Sequence, residues 1–171
     1  CGSLETVDLS GFDTSNVIKF NRMFHSCYKL KAADLSSFSS TGLNASFADM
    51  FVNCISLETV DMSNIDTSNV TTMSWMFYHC KVLTEIKGIE NWNIQGLVNS
   101  NSLDIFLYYV TLDTVTYDQL LVNWEAQASS IPVALSPNFG HCEYTKDSTA
   151  DLARSSLINN YGWSISDGGY A

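Results

Sequence analysis

Three aspartates recur at the same position of a repeated pattern, and a serine follows each of them two residues later. The pairs are Asp8 with Ser10, Asp34 with Ser36 and Asp61 with Ser63. Carboxylates and hydroxyls that recur at a fixed period can form an aligned row, which could bind a cation or the hydroxyls of a glycan. The other interpretation is structural, since such carboxylates can instead accept hydrogen bonds from nearby backbone or hydroxyl groups.

The residues around these pairs alternate between polar and apolar types, as they do along a half-buried strand. Val7 and Leu9 are expected to point inward, so that their polar neighbours point outward together. We name the outward set the polar column and predict that any ligand binds there. Its members are Thr6, Asp8, Ser10, Asp34, Ser36, Thr59, Asp61 and Ser63.

Four of the five cysteines follow the same period, with spacings of 26, 27 and 26 residues: Cys1, Cys27, Cys54 and Cys80. Equivalent positions in stacked units lie about 4.8 Å apart, but their side chains point the same way and not toward each other. We therefore predict free, buried thiols. A zinc site is disfavoured because close cysteine pairs are lacking and His25, His79 and His141 share no repeat position.

Motifs for catalysis are missing from the sequence. It contains no Gly-x-Ser-x-Gly, no phosphate-binding glycine loop and no His-x-x-x-His, so we expect neither an enzyme nor a bound metal or cofactor. The net charge of −10 argues against binding to nucleic acid or an anionic membrane. Ser, Thr and Asn account for 50 of the 171 residues, which predicts a neutral, hydroxyl- and amide-rich surface.

The elements that position these residues follow from the repeat. Val7 to Ser10 reads as a strand, whereas Val17, Phe20, Met23 and Phe24 follow the three- and four-residue steps of a short helix. A turn, Asp13-Thr14-Ser15-Asn16, separates them and recurs as Asp66-Thr67-Ser68-Asn69, but it is degraded to Ser39-Ser40-Thr41-Gly42 in the second unit.

The aromatic residues fall into two groups. The phenylalanines on apolar repeat positions are predicted to lie in the core: Phe12, Phe20, Phe24, Phe38, Phe51 and Phe77. Trp75, Tyr78, Tyr108 and Tyr109 fall off the pattern, so they could stack on carbohydrate or contact a protein. Burial is an equal alternative for Tyr108 and Tyr109.

The repeated pattern is Leu-x-x-Val-Asp-Leu-Ser-x-Phe-Asp-Thr-Ser-Asn-Val followed by Met-Phe-x-x-Cys, and it covers residues 1–80 closely. It resembles the BspA-type leucine-rich repeat, also called the mycoplasma lipoprotein repeat or DUF285 family. The resemblance implies an α/β fold, a short leucine-rich-repeat-like solenoid of about 26 residues per coil, each with a strand and a short helix.

Beyond residue 110 the composition shifts toward an end piece. We predict a helix near 116–127, whose apolar face includes Tyr117 and Trp124, and a second helix that begins after Asp147-Ser148 and ends at Gly162. A short strand is predicted at Trp163-Ser164-Ile165-Ser166. This region resembles the C-terminal module of many BspA-type surface proteins, which also occurs in phage structural proteins.

The predicted organisation is therefore a repeat solenoid over 1–110, with coils at 1–26, 27–53 and 54–79, a decayed fourth coil at 80–110, and a C-terminal cap at 111–171. The open edge before Cys1 suggests further coils or another domain upstream; alternatively, Cys1 could carry the lipid of a lipoprotein.

The function predicted is a non-enzymatic recognition or adhesion module, located outside a cell, on its surface or on a virion. Its expected partner is a protein or glycan of a cell surface, with no nucleic acid and no membrane insertion. The alternative is an architectural virion component, such as a phage fibre or decoration domain, that contacts neighbouring subunits. The non-enzymatic class follows from the absence of catalytic motifs, whereas the location follows from the resemblance. A resemblance in fold alone does not determine function.

Overall fold

The computed structural model describes residues 1–38, 44–131 and 134–171. Very short strands and turns make up the first part of the described chain, and two α-helices follow. The strands are β1 (Ala32–Asp34), β2 (Ala45–Ser46), β3 (Thr59–Asp61), β4 (Val70–Thr72), β5 (Glu85–Lys87), β6 (Glu143–Tyr144) and β7 (Gly169–Tyr170). The helices are α1 (Thr114–Glu125) and α2 (Thr149–Tyr161), with 3-10 turns at Ile89–Asn91, Ser100–Leu103 and Ala128–Ser130.

The strands pair in parallel at the period of the sequence repeat. One sheet has the order β1-β3-β5, and its central residues Ala33, Val60 and Ile86 lie in register and are buried. The residues on either side of each one point to the other face, since side chains alternate along a strand. Two smaller pairs, β2 with β4 and β6 with β7, lie apart from this sheet.

The predicted fold class, an α/β leucine-rich-repeat-like solenoid with a strand and a short helix per coil, is wrong. No α-helix lies in the repeats among the described residues, since α1 begins only at Thr114. The strands are two or three residues long and fall into three separate small sheets. The Val7–Ser10 segment, predicted to be a strand, forms none.

Left-handed backbone conformations explain why the expected helix is absent. Arg22 and Ser26 have φ angles of 59° and 60°. A left-handed residue therefore interrupts the right-handed backbone at these two positions, four residues apart. The amides of Met23 and Cys27 close tight turns onto the carbonyls three residues earlier. A continuous α-helix excludes such residues, because it requires negative φ throughout. The buried residues nevertheless keep a spacing close to that of a helix.

These turns also bond to one another across units. The amides of Phe20, Arg22, Phe24 and Ser26 donate to carbonyls of the second unit, and the second and third units donate onward in the same direction. The phenylalanines inside the turns stack, with ring centroids 5.1 Å apart for Phe24 and Phe51 and 5.4 Å apart for Phe51 and Phe77. The aligned backbone and the stacked rings therefore fix each unit against the next.

Burial confirms the core prediction for five of the six phenylalanines, but Phe12 is wrong because 58% of it is exposed. Met23, predicted on an inward helical face, is also exposed, because the left-handed residue before it turns the chain. The degraded turn Ser39-Ser40-Thr41-Gly42 lies outside the described residues. The other two turns form: Asp13 and Asp66 each accept a hydrogen bond from the amide two residues later, although no helix follows them.

All five cysteines are free thiols, which confirms the prediction for the four on the repeat period, and Cys27, Cys54 and Cys80 are buried. The Sγ atoms of Cys54 and Cys80 lie 3.0 and 3.1 Å from the carbonyl oxygens of Phe24 and Phe51 in the preceding unit. The expectation that Cys1 lies in the same buried column is wrong, because Cys1 is exposed.

The Phe-x-x-Cys turn recurs once more where sequence analysis did not identify it, at Phe139-Gly140-His141-Cys142. The amide of Leu107 donates to the carbonyl of Asn138, and the amide of Phe77 donates to the carbonyl of Phe106 in the same way. Cys142 is buried. Gly140 has a φ of 63°, and a Cβ there would lie 2.2 Å from the carbonyl oxygen of Leu107, so the close approach requires glycine.

The two helices of the C-terminal segment confirm their predictions. Asp113 caps α1, which begins at Thr114, two residues before the expected start, and the face with Tyr117 and Trp124 is buried. Ser148 caps α2, and Gly162 ends it in the left-handed conformation. Neither helix is long and apolar enough to cross a bilayer, and the described residues contain no other candidate.

The strand predicted at Trp163–Ser166 is wrong, since only Ser166 forms a bridge, to Asn138, and the last strand is β7.

A largely buried ionic network holds the C-terminal tail against both helices. The Arg154 guanidinium makes two hydrogen bonds to the Asp167 carboxylate, of 2.8 and 3.1 Å, and the Tyr117 hydroxyl donates to the same carboxylate at 2.8 Å.

Candidate functional site

The polar column is positioned by the alternation within the short strands. Asp34 and Asp61 lie in register on β1 and β3, and Lys87 on β5 takes the equivalent place in the next unit. None of the eight residues of the column is buried, whereas Leu9, Leu35 and others between them are. The structure thus brings Asp34 and Asp61 side by side.

Each aspartate of the column uses one carboxylate oxygen for its own turn. Oδ1 of Asp8 accepts from the Ser10 amide at 2.9 Å and from its hydroxyl at 2.7 Å. Asp61 and Ser63 repeat both hydrogen bonds, at 3.1 and 2.7 Å, and Asp34 accepts from the Ser36 amide at 2.9 Å. These local hydrogen bonds agree with the structural interpretation of the aspartates. Among the described residues, Oδ2 of Asp8 and Oδ2 of Asp34 accept no hydrogen bond from these turns.

The hydrogen bonds also set the charge of the column. Those from the amide and then the hydroxyl of Ser10 lower the pKa of Asp8, so the group is ionised at neutral pH. The Ser63 hydroxyl does the same for Asp61, whose pKa is lowered further by Lys87. Because Lys87 Nζ lies 3.5 Å from Asp61 Oδ2, negative charge is partly compensated at that end of the column and uncompensated at Asp8.

A cleft of about 200 Å³ opens at the less compensated end. It lies between the first two units, where Val7 to Ser10 does not pair with β1. The units are joined on either side of it, by the Lys31 amide to the Glu5 carbonyl and by the Ser37 hydroxyl to the Leu9 carbonyl. Its lining residues are Val7, Asp8, Leu9, Ser10, Asp34, Ser36 and Ser37.

Four of the eight polar-column residues line this cleft: Asp8, Ser10, Asp34 and Ser36. Thr6, Thr59, Asp61 and Ser63 lie outside its lining. Within the described ranges, no group of three or more His, Cys, Asp or Glu side chains is arranged to hold a metal ion. The cleft therefore offers two carboxylates, hydroxyls and a small apolar floor to a ligand that donates hydrogen bonds.

A second group of exposed and half-buried side chains lies on the turns of the later units. We define the aromatic patch as Trp75, Tyr78, His79, Tyr108, Tyr109 and His141. Its rings form a chain of contacts from Trp75 to His141, with neighbouring centroids between 4.3 and 6.4 Å apart. Tyr108 and Tyr109, left open between exposure and burial, are each 37% exposed. A hydrogen bond with Tyr109 raises the pKa of Tyr108.

The two histidines of the patch, His79 and His141, were not among the predicted ligand-binding residues. His79 contacts Asn53 and stacks on Tyr78, and His141 enters the patch through the unrecognised turn at 139–142. The sequence feature that could have identified this turn is the Phe-x-x-Cys spacing of Phe139 and Cys142. The turn was missed because it does not follow the 26- or 27-residue period of the repeat.

Comparison with known protein families gives a match. The family described as "Mycoplasma protein of unknown function, DUF285" matches residues 1–108, which include the whole polar column and the patch residues up to Tyr108. No curated protein and no solved structure matches the chain. With almost two thirds of its length matched, and with the repeat on which the resemblance rested lying inside that match, the chain belongs to the DUF285 family.

Proposed function

We propose that this chain is a non-enzymatic recognition module, displayed on a cell or virion surface, that binds a protein or glycan through the cleft end of the polar column. The observation that carries this proposal is the coincidence of the cleft with Asp8, Ser10, Asp34 and Ser36. At the cleft, part of a bound partner can be surrounded by these side chains. The other four residues of the polar column lie outside the cleft lining.

The chemistry of the cleft favours a ligand rich in donors. Asp8 is held ionised by Ser10, and one oxygen of its carboxylate is already bonded within the turn. The remaining oxygen can accept from a sugar hydroxyl, a backbone amide or an ammonium group. An anionic polymer would be repelled, because both Asp8 and Asp34 line the opening.

The same geometry favours binding over catalysis. A general acid or base works best when its pKa lies near the working pH, but hydrogen bonds move the pKa of Asp8 in the opposite direction. The carboxylates are also fixed by the turns that they close. We therefore assign them the role of stationary acceptors.

The test replaces the three column carboxylates together, by Asp8→Asn, Asp34→Asn and Asp61→Asn. Asparagine keeps the acceptor oxygen of each turn, so the fold should persist while three charges are lost. Binding to cells or to a glycan array should weaken about tenfold or more, as expected for lost charge-assisted hydrogen bonds.

A matched variant controls for net charge. Asp13→Asn, Asp66→Asn and Asp147→Asn remove the same number of charges away from the column and should leave binding unchanged. Equal binding by the wild type and the column variant would overturn the proposed site. A wild-type chain that binds no cell, glycan or protein beyond its own assembly would favour the architectural role.

A further inference from the structure

The aromatic patch is a second exposed surface, and it shares no residue with the polar column. Its position depends on backbone bonds between units, because the amides of Trp75 and His79 donate to the carbonyls of Asp104 and Tyr108. The amide of His141 donates in turn to the Val110 carbonyl at 3.0 Å. The rings therefore project from a backbone that is already fixed, which lowers the entropy lost on binding.

The fold itself does not require rings at these positions. Trp75 and His79 have φ angles of 60° and 65°, in the same turn positions at which the second unit has Asp49 and Asn53. Tyr109 has a φ of 74°. A left-handed conformation suits Asn or Asp and costs bulky residues about 1 kcal/mol each. Bulky aromatics at strained, exposed positions are typical of binding sites.

The rings of the patch share one chemical property. Each carries a polar atom at its edge: the indole N–H of Trp75, the hydroxyls of the three tyrosines and the nitrogens of the two histidines. The Lys81 ammonium lies beside one of these rings, with Nζ 5.5 Å from the centre of the Tyr109 ring. The surface thus combines flat apolar faces with neutral hydrogen-bonding edges.

We propose that the aromatic patch binds a neutral oligosaccharide. A pyranose ring presents apolar C–H groups on its faces and hydroxyls around its edge, so it can pack on an aromatic face and bond to the polar rim at once. Protein hot spots are also enriched in Trp and Tyr, but arginine is enriched together with them. The patch contains no arginine, and the polar edge of every ring matches the hydroxyl rim of a sugar.

The extent of the patch favours a chain of sugars over a single one. Tyr78 and Tyr108 are nearly parallel, at 18° and 5.9 Å between centroids, and Tyr109 and His141 continue the contacts at 6.3 Å. Successive units of an oligosaccharide could therefore contact successive units of the protein. This proposal does not depend on the polar column.

The protein contains its own reporter for the test. Trp75 is exposed, whereas Trp92, Trp124 and Trp163 are buried. Acrylamide should therefore quench mainly the Trp75 fluorescence of the full chain. We expect at least one of cellohexaose, chitohexaose, laminarihexaose and maltohexaose to protect this fluorescence in a saturable way. This measurement on the wild type needs no variant, and protection by none of the four would overturn the proposal.

The double variant Tyr108→Val and Tyr109→Asn gives these positions the residues that the second unit has, Val52 and Asn53, so the turn should still form. Loss of two stacking rings should weaken saccharide binding about tenfold or more. Tyr28→Val removes an exposed tyrosine elsewhere and should leave affinity unchanged.

Undiminished affinity in the double variant would overturn the proposal. So would protection of Trp75 by a ten-residue polyproline peptide but by no saccharide, since that peptide would test aromatic recognition of proline-rich chains. The column variant Asp8→Asn, Asp34→Asn and Asp61→Asn should still bind the hexasaccharide at the patch. The experiments can therefore overturn the proposal for the polar column and the proposal for the aromatic patch separately.

Discussion

At the scale of single residues, the buried thiols are the most distinctive groups. Burial raises the pKa of Cys54 and Cys142 to about 12 each, and that of Cys80 well above its ordinary value. A thiol reacts through its thiolate, so these groups should be inert in the folded chain. Cys1 differs because its side chain is exposed.

We expect an aromatic disulfide reagent to modify one thiol quickly in the native protein and four more after denaturation. Cys1→Ser should abolish the fast phase and leave the other four unchanged. Two or more rapidly reacting thiols in the folded chain would contradict the burial described for Cys27, Cys54, Cys80 and Cys142.

The same shifts predict sensitivity to alkali. The unfolded thiols ionise near pH 8.5, whereas the buried ones remain protonated to about pH 12, so the native state binds more protons between these values. The free energy of unfolding should therefore fall as pH rises above about 8.5, by about 1.4 kcal/mol per pH unit for each such thiol.

Urea unfolding at several pH values measures this slope. Cys54→Ala should make the decline shallower, whereas Cys1→Ser should not change it. A free energy of unfolding that stays constant from pH 8 to pH 11 would be inconsistent with the raised pKa values.

At the scale of the elements, the left-handed turns distinguish this fold from the expected helices. Ser26 has a φ of 60°, and a helix would instead need negative φ there. Because serine and alanine both carry a Cβ, Ser26→Ala should be nearly neutral, whereas Ser26→Gly should stabilise the chain by about 1 kcal/mol. In a helix the order would reverse, because alanine is then favoured over glycine. Thermal unfolding of the two variants decides between these orders.

The C-terminal tail depends on a buried ion pair. The Asp167 side chain is 3% exposed, so Arg154→Met would leave its carboxylate without its cation and should cost about 3–5 kcal/mol. Arg22→Met removes an exposed partner of Asp49 and should cost less than about 1 kcal/mol. Similar losses in both variants, measured by chemical denaturation, would contradict the role given to the buried pair.

The comparison of sequence with structure is instructive at this scale. The α2 boundaries were predictable because Ser148 and Gly162 are local capping signals. The repeat turns were not, since apolar residues three and four apart suit both a helix and a series of tight turns. The polar column followed from alternation and period. The cleft and the aromatic patch did not, because one depends on a gap in strand pairing and the other on a turn outside the period.

At the scale of the whole molecule, the C-terminal segment covers the last repeat unit. The Asn123 side chain donates to the Glu90 carbonyl at 2.9 Å, and Gln127 accepts from the Ile94 amide at 2.9 Å. Behind these bonds the rings of Trp124 and Phe106 lie 6.2 Å apart. Helix α1 therefore shields the apolar surface of the last repeat unit from solvent.

A fragment of residues 1–115 should lose this cover and aggregate or unfold without a cooperative transition. Light scattering and circular dichroism measure both outcomes. The full chain with Val115→Ser and Leu152→Ser, two exposed helix positions, should remain soluble and cooperative. A monomeric fragment that unfolds cooperatively would show that the repeats are stable alone.

The one-way direction of the turn hydrogen bonds has a consequence for how the first unit exchanges its hydrogens with solvent. The amides from Arg22 to Cys27 all donate, either within their turns or to the second unit. Among the described residues, the carbonyls of Asn21, Met23 and His25 receive no donor from another unit. Hydrogen–deuterium exchange should therefore find the amides from Arg22 to Cys27 protected. Infrared bands of ¹³C-labelled carbonyls at Asn21, Met23 and His25 should show that these carbonyls are hydrated. Amides and carbonyls of the same segment would thus differ in their contact with solvent.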